Sequence, residues 1–394
     1  MPMRPLFAAL AILMCALTPG AAFAEPSEAD RRTLRLDLYS PILDERREVI
    51  VRLPERYFDD PQRTYPLFFI SDADWNFDLV ASQLDYLAAW GRIPEFIVVG
   101  ALNTERNRDF LPRADPGFPF SGQGDRYLEH LDDELLPLIE AQFRVNAHAV
   151  MFGHSFGGVL VLNQMLTDPG LFDAHIALGS SVWVSGRVLF ERTEAAFEAA
   201  ETFDTWLYLS VGEGDGGATV PDGALYRDLL EAQAPAALDW SYRVFPEENH
   251  FTNVPISVHD ALARLFPFWE QAGSLQAMAE ARGAAGVEAW FDQARAELGW
   301  RFVPQSMELS LTGVALAAAG DASAASAVFD ALEARYPDRA EIPAMRAVSL
   351  VRNGGDTAEA LAAIRTAIAV GERTDHPPAR LESFRQVEAR LTGG

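Results

Sequence analysis

Residues 147–158 read AHAVMFGHSFGG, and this stretch decides the fold. The apolar run that ends at Phe152 predicts a strand buried on both faces. A G-x-S-x-G motif follows at 153–157, and the residues after it begin a predicted helix. Strand, sharp turn and helix in this order are typical of a nucleophile elbow, which raises a serine hydroxyl above the edge of a sheet. The stretch therefore predicts an α/β sheet with Ser155 as a nucleophile.

Strand-like and helix-like stretches alternate on both sides of this turn, from about Thr33 to Ala272. Apolar or alternating runs predict strands at 47–53, 66–71, 96–102, 147–152, 174–178, 205–211 and 238–244, and helical spacing predicts helices after the elbow, at 124–143 and near 225–233. This order indicates a doubly wound, mostly parallel sheet of the α/β-hydrolase type. Residues 103–125 have no periodicity and predict a long loop that forms a wall of the active site.

The partners of a nucleophilic serine are expected after later strands of the sheet. His250 follows the predicted strand 238–244 and is the candidate base. Asp215 and Glu213 both lie in the glycine-rich loop after 205–211. Asp215 is preferred as the acid because the glycines around it permit a close backbone approach, and Glu213 stays as the alternative. The order serine, acid, histidine is that of the α/β-hydrolases.

Two backbone amides are expected to bind the oxyanion that forms during acyl transfer. The first is the amide of Phe156, directly after the nucleophile. The second should come from the loop that follows 66–71, where Ala73 is the candidate. This chemistry needs neither a metal nor a cofactor, so none is expected.

Four stretches carry a resemblance to a known family: the elbow, SDADW at 71–75, NTERNRD at 103–109 and SSVW at 180–183. Together they resemble the Putative esterase family, which includes enterobactin and salmochelin esterases and S-formylglutathione and acyl-ester hydrolases. The resemblance spans roughly residues 30–270 and implies an ester hydrolase with Ser155 as nucleophile and His250 as base. Ala73 stands where many members have glycine. Some siderophore esterases use a serine–histidine dyad, so a site without an acid stays open as well.

Charged and aromatic residues near these stretches are candidates for substrate binding. Arg106 and Arg108 would bind an anionic substrate, or alternatively anchor their loop through ion pairs with Glu105 and Asp109. Aromatic side chains would line a pocket for the acyl or alcohol group, or alternatively belong to the core: Trp75, Phe110, Phe118, Phe120 and Trp183.

The first residues have the pattern of a signal peptide. Arg4 supplies a positive charge, 6–17 is apolar, and 22–24 reads Ala-Phe-Ala, a cleavage site before Glu25. Residues 1–24 therefore predict export to the periplasm or the medium. The apolar run is shorter than the roughly 20 residues that span a bilayer, so stable membrane insertion is not expected.

Charge and cysteine content exclude other classes of function. The formal net charge of −25 argues against a nucleic-acid partner, which requires a basic surface. The only cysteine, Cys15, lies in the predicted signal peptide, so the mature chain has no thiol for disulfides or zinc–thiolate sites.

The composition changes to alanine-rich helix after an esterase domain at 25–272. Within 273–394, one tetratricopeptide-like unit is indicated by the offsets of Gly313, Gly320, Ala325, Phe329 and Pro337, and a degenerate second copy by Leu350, Gly354, Ala360 and Ile364. Two repeats are fewer than a free-standing array needs. We therefore expect a small all-α region that packs on the catalytic domain or binds a protein partner.

The sequence thus predicts a serine esterase for a soluble, small-molecule ester. Two alternatives stay open. An acyltransferase or a peptidase would use the same triad. A catalytically silent hydrolase would act as a binding module through its helical tail.

Overall fold

The computed structural model describes residues 32–55, 57–58, 63–89, 92–199, 203–267, 272–298, 306–374 and 376–393. The predicted signal peptide at 1–24 and its cleavage site lie outside these residues. Within the described ranges, the structure contains no helix with the length and apolar character needed to cross a membrane.

Eight strands form one sheet with the order β1-β2-β4-β3-β5-β6-β7-β8. Their bounds are β1 Thr33–Ser40, β2 Glu45–Arg52, β3 Tyr65–Ile70, β4 Ile97–Ala101, β5 Val145–His154, β6 Ala174–Leu178, β7 Thr205–Gly212 and β8 Leu238–Phe245. The β1–β2 and β2–β4 pairs are antiparallel, and every other pair is parallel. This confirms the predicted α/β-hydrolase fold. Each predicted strand is present with its ends displaced by no more than two residues, whereas β1 was not predicted.

The central strands are continuous apolar runs because both faces of the sheet are covered. All of β3 is buried, and its side chains alternate between two hydrophobic cores. Leu67 and Phe69 enter one core, while Phe68 and Ile70 enter the other. Burying each phenylalanine contributes about 1.5–3 kcal/mol, so the alternation fixes the register of the strand that precedes the oxyanion loop.

Helices cover the two faces. They are α1 Ala73–Ala89, α2 Arg106–Phe110, α3 Gly124–His130, α4 Leu136–Gln142, α5 Phe156–Thr167, α6 Val184–Ala199, α7 Thr219–Gln233 and α8 Asn253–Leu265. A π-helical turn at Leu131–Leu135 joins α3 to α4, where one continuous helix was predicted. The predicted loop 103–125 contains the short helix α2, and α1 begins at Ala73, which was expected in a loop.

The C-terminal region is all-helical in its described part. Its helices are α9 Ala272–Arg282, α10 Ala284–Leu298, α11 Ser306–Ala318, α12 Ala322–Arg335, α13 Glu341–Arg352, α14 Thr357–Arg373 and α15 Pro378–Thr392. The two predicted repeats coincide with α11–α12 and α13–α14, and further helices extend the region at both ends. Its side chains form two hydrophobic clusters of their own, one from Leu275 to Ile342 and one from Ala340 to Phe384.

In the helix pair α11–α12, Gly313 allows a close approach of the two helices. A Cβ atom on Gly313 would lie 2.9 Å from the ring of Phe329, so the two helices approach too closely for a larger side chain. The N-termini of α12 and α14 are capped by the carboxylates of Asp321 and Asp356. These caps satisfy amides that have no acceptor within their helices.

Candidate active site

Ser155 occupies the sharp turn between β5 and α5. Its backbone has φ +61° and ψ −116°, a region that non-glycine residues rarely adopt. A Cβ atom on Gly153 would lie 2.1 Å from the Gly157 carbonyl oxygen, and one on Gly157 would lie 2.6 Å from Ser71 Oγ. The turn therefore requires glycine on both sides of the serine. The Ser155 amide donates to the Leu178 carbonyl at 2.9 Å, which fixes the turn to the end of β6.

The hydroxyl of Ser155 lies beside a second hydroxyl. Ser155 Oγ is 3.4 Å from Ser181 Oγ, and the Ser181 amide donates to the Ser155 carbonyl at 3.3 Å. Ser181 is buried and follows β6. Sequence reasoning did not assign it a role. The strand order would have predicted this contact. β5 and β6 are parallel neighbours, and the residues after such strands meet at one edge of the sheet.

His250 and Asp215 form the second part of the site. His250 Nδ1 lies 2.8 Å from Asp215 Oδ2, and the Asp215 side chain is only 2% exposed. Glu213 is solvent-exposed. The geometry expected for Asp215, with its carboxylate at Nδ1 of His250 and Glu213 directed elsewhere, agrees with these positions.

The loops that carry the two residues are docked against each other at a glycine. They follow β7 and β8, which are parallel neighbours. A Cβ atom on Gly212 would lie 2.5 Å from the Glu248 carbonyl oxygen, so no side chain fits there. The Gly214 amide donates to the same carbonyl at 2.8 Å. The glycine-rich sequence thus allows the backbone approach that brings the carboxylate to the imidazole.

His154 connects the elbow to the loop of His250. Its Nε2 donates to the His250 carbonyl at 2.7 Å, and the two ring centroids are 4.5 Å apart. Burial, together with the neighbouring His250, lowers the pKa of His154 to about 4. His154 is therefore neutral near pH 7. Sequence reasoning treated it only as a member of the elbow, since the contact with His250 joins residues far apart in the chain.

Phe156 and Ala73 are the first residues of α5 and α1. Amides in the first turn of a helix have no acceptor within that helix and favour bound anions. The strands that precede them, β5 and β3, are parallel neighbours, so both helices begin at the same edge of the sheet. Both amides therefore lie at helix starts on the edge of the sheet where Ser155 stands.

Arg106 holds the segment before Ala73. Its Nε lies 2.7 Å from Asp72 Oδ1 and its NH2 lies 2.6 Å from Asp72 Oδ2. Asn103 Nδ2 also donates to Asp72 Oδ1, at 2.7 Å. Asp72 is 2% exposed and has φ +57°. The guanidinium lies 4.8 Å from the ring centroid of Phe156, so Arg106 contacts both helix starts. Its ion pair is with Asp72 and not with Glu105.

Arg108 anchors the loop. Its guanidinium binds both carboxylate oxygens of Glu45, at 3.0 and 2.5 Å, and its Nε lies 2.7 Å from Asp109. Asp109 is itself buried and paired with Arg47 at 2.8 Å. Of the two interpretations from sequence, these contacts correspond to the loop-anchoring ion pair.

The aromatic candidates separate into three groups. Phe110 is buried in the core, while Trp75 and Phe120 are 75% and 77% exposed. Phe118 packs edge-on against Phe156 at 4.8 Å and lies 5.9 Å from the ring of Trp183. We call Phe118, Phe156 and Trp183 the aromatic wall. It packs part of the predicted 103–125 loop against Phe156, the residue that follows the nucleophile.

The described residues include no group of three or more histidine, cysteine, aspartate or glutamate side chains that could hold a metal ion. The site combines an elbow serine, an imidazole–carboxylate pair and two helix starts. That arrangement is typical of serine hydrolases with an α/β-hydrolase sheet.

Comparison with known proteins gives the family. The model of the Putative esterase family matches residues 40–270, and the chain belongs to this family. It is therefore a carboxylic ester hydrolase, as predicted from the sequence.

The relatives include a siderophore esterase. The ferri-bacillibactin esterase BesA of Bacillus subtilis is 27% identical over 233 residues, which cover 51% of this chain and 79% of BesA. An IroE-like serine hydrolase from Shewanella oneidensis has the same fold with a TM-score of 0.68 at 24% identity, covering 76% of this chain and 99% of that one. An uncharacterised protein from Capnocytophaga ochracea has a TM-score of 0.59 at 16% identity and covers 92% of this chain and 100% of its own, so its fold extends into the helical region.

Proposed function

We propose that this protein is a serine esterase in which Ser155, His250 and Asp215 form a catalytic triad. The observation that carries the proposal is the 2.8 Å contact between His250 Nδ1 and the buried Asp215 carboxylate. A buried carboxylate at Nδ1 leaves Nε2 unprotonated and free to act as a base, and it stabilises the imidazolium that forms.

The reaction has two steps. His250 accepts the hydroxyl proton of Ser155 as the oxygen attacks the ester carbonyl. The amides of Phe156 and Ala73 bind the oxyanion, and the alcohol leaves with the proton from His250. Water then attacks the acyl-enzyme by the same route and releases the acid. Arg106 keeps the two amides in register through Asp72 and the ring of Phe156.

A fluorophosphonate probe tests the nucleophile directly. We expect the probe to label the wild-type protein at Ser155 and to leave Ser155→Ala unlabelled. An unlabelled wild-type protein would instead favour a silent hydrolase that acts as a binding module through its tail.

The substrate we propose is a small ester of the siderophore type. The name of the Bacillus subtilis relative supports this class, and so do the aromatic wall and Arg106, whose side chain is 30% exposed. A panel of ferric and iron-free catecholate siderophores, model esters, thioesters and peptides distinguishes this proposal from acyl transfer or peptide cleavage on the same triad. If none of the siderophores is hydrolysed, the proposed substrate class is wrong, but the proposed esterase activity is not affected.

We also propose export to the periplasm or the medium. The signal-like sequence at 1–24 supports it. N-terminal sequencing of the exported protein should give Glu25 as the first residue, and a chain that begins at Met1 would contradict export by this signal.

The helical tail is proposed to contain two tetratricopeptide-type repeats, α11–α12 and α13–α14. The close contact of Gly313 with Phe329 and the caps at Asp321 and Asp356 support this assignment. Repeats of this type commonly present a surface to a protein partner. Affinity capture with the isolated wild-type protein as bait, and with Ser155→Ala as a matched bait, tests whether a partner binds independently of catalysis.

A further inference from the structure

The segment that carries Phe118 is a closed loop. The Gly124 amide donates to the Leu111 carbonyl at 3.1 Å, and the Gln123 amide donates to the Arg108 carbonyl at 3.0 Å. Gly122 has φ +105°, and a Cβ atom there would lie 2.5 Å from the Ala114 amide nitrogen. The loop therefore folds back on itself and presents Phe118 from a fixed base.

The segment that carries Trp183 contains an uncommon backbone. Near the start of α6, three successive residues are not helical: Ser185, Gly186 and Arg187 have φ values of +52°, +66° and +61°. Left-handed conformation is unfavourable for residues with a Cβ atom and is normally limited to single positions. Such conformations persist only where surrounding contacts hold them, and they concentrate at functional sites.

Asp115 joins the two segments. Its Oδ2 accepts a hydrogen bond from the Ser185 amide at 2.5 Å, and its Oδ1 accepts one from the Gly117 amide at 2.8 Å. One carboxylate thus holds both the turn that leads to Phe118 and the left-handed turn that follows Trp183. A second contact supports the same junction, because Ser185 Oγ donates to the Arg113 carbonyl at 2.8 Å.

We propose that Asp115 is a positioning residue that determines specificity: it holds Phe118 and Trp183 in place, so that with Phe156 they form a preformed aromatic wall beside the nucleophile. The inference rests on the proposed esterase function of Ser155. A wall that is ordered before binding lowers the entropic cost of seating a flat substrate group against it. Esters with an aromatic acyl or alcohol group should therefore be preferred over small aliphatic esters, and this preference should depend on Asp115.

The sequence offers a matched control. Asp168-Pro169-Gly170 repeats the tripeptide Asp115-Pro116-Gly117, and the Gly170 amide donates to Asp168 Oδ1 at 3.0 Å in the same turn. That turn follows α5, away from the aromatic wall. Asparagine at either position keeps the oxygen that accepts the bond within the turn. At position 115 alone, it also places an amide nitrogen against the Ser185 amide in place of an acceptor.

The experiment compares kcat and KM of Asp115→Asn, Asp168→Asn and the wild type. The substrates are p-nitrophenyl benzoate against p-nitrophenyl acetate for the acyl side, and p-nitrophenyl acetate against ethyl acetate for the alcohol side. We expect at least one ratio of kcat/KM values to fall about tenfold in Asp115→Asn, mainly through a higher KM for the aromatic ester. Both ratios should stay within twofold of wild type in Asp168→Asn. A merely structural role of Asp115 would lower the melting temperature without changing either ratio, and that result would overturn the proposal.

Ser185→Ala keeps the test decisive if Asp115→Asn does not fold. It removes only the hydroxyl bond to Arg113, so we expect the same ratio to fall by a smaller factor. Unchanged ratios in a folded Ser185→Ala protein would then overturn the proposal. A wild-type protein without esterase activity or fluorophosphonate labelling would remove the proposed function itself, whereas active variants with wild-type ratios would remove only the role of Asp115.

Discussion

Ser155 and His250 are expected to act as one catalytic unit. The backbone at the elbow directs the hydroxyl of Ser155, and the Asp215 carboxylate contacts the imidazole of His250. His154 donates a hydrogen bond to the backbone carbonyl of His250. Ser155→Ala and His250→Ala should each lower kcat for a model ester on the order of 10³-fold or more, and the double variant should be little worse than either single one. A single variant that keeps most of its activity would refute the role of that residue.

Asp215 and Glu213 offer a direct comparison of two carboxylates in one loop. Asn at 215 would donate to Nδ1 of His250 and favour the wrong tautomer, so Asp215→Asn should lower kcat on the order of 10³-fold. Glu213 is exposed, and Glu213→Gln should stay within about twofold. The measurement is kcat for p-nitrophenyl acetate at constant pH. Near-normal activity in both variants would indicate a serine–histidine dyad.

The two proposed roles of Arg106, positioning the oxyanion donors and binding the substrate, predict changes in different kinetic constants. If it positions the oxyanion donors through Asp72 and Phe156, Arg106→Lys should lower kcat about tenfold with little change in KM, because those donors act in the transition state. Arg52→Lys is a matched control, since Arg52 pairs with Asp85 at 3.3 Å and lies 5.7 Å from the ring of Phe77, away from the site. A rise in KM confined to anionic esters would instead support direct substrate binding by Arg106.

At the scale of elements, the sequence predicted what local patterns determine. The central strands are continuous apolar runs, and the elbow has a fixed motif, so both were predictable. β1 was missed because it is an edge strand, largely open to solvent, with a single paired neighbour. α1 has a helical apolar face at Phe77, Val80, Ala81 and Leu84, but its first residues include two aspartates, which are more typical of a loop.

Contacts between distant residues could not be read from the sequence. The pairing of Arg106 with Asp72 depends on how α2 returns toward the end of β3, and Arg106 has Glu105 and Asp109 closer along the chain. The choice of Asp215 over Glu213 had a local argument, because the glycines around it permit a close approach. No local argument existed for the contact between Asp115 and Ser185. The Ser185 amide that donates to Asp115 belongs to a left-handed turn that no sequence pattern predicts.

The strands β5 and β6 carry two buried histidines that should make stability depend on pH. Burial lowers the pKa of His175 to about 3 and that of His154 to about 4, whereas both are near 6.5 in the unfolded chain. Between these values the unfolded state binds more protons, so the free energy of unfolding should fall as the pH falls from about 6.5 to 4. Each histidine contributes up to about 1.4 kcal/mol per pH unit.

Urea titrations at several pH values measure the slope of the free energy of unfolding against pH. His175→Gln retains groups that can bond to Gln164 and Thr205, the present partners of the ring, and should make the slope shallower. His259→Gln is the matched control for the substitution itself, because His259 is exposed on α8. A wild-type slope in His175→Gln would contradict the assignment of this histidine as neutral and buried.

At the scale of the whole molecule, the described side chains form separate hydrophobic cores on the sheet and in the helical region. The family match ends at residue 270, just before α9 begins. The sequence predicted a change of architecture at 272–273 from composition alone. It predicted a helical region there but did not locate α9, α10 and α15 individually, because the repeat offsets end at α11 on one side and α14 on the other.

Deletion of the chain from Ala272 onward tests whether the two regions fold independently. Since the cores are separate and Ser155, His250 and Asp215 all lie before residue 272, kcat/KM for p-nitrophenyl acetate should stay within about twofold of wild type. Calorimetry of the full chain should show two transitions, of which the truncated protein keeps one. Gly313→Leu in the full chain should lower the melting temperature of only the transition that truncation removes. The new side chain would clash with Phe329 inside the helical region. A single transition whose melting temperature falls in both variants would mean that the tail packs on the catalytic domain. That result would agree with the expectation that two repeats cannot fold without such packing. Lost activity on a natural ester with p-nitrophenyl acetate hydrolysis intact would assign the tail to substrate binding.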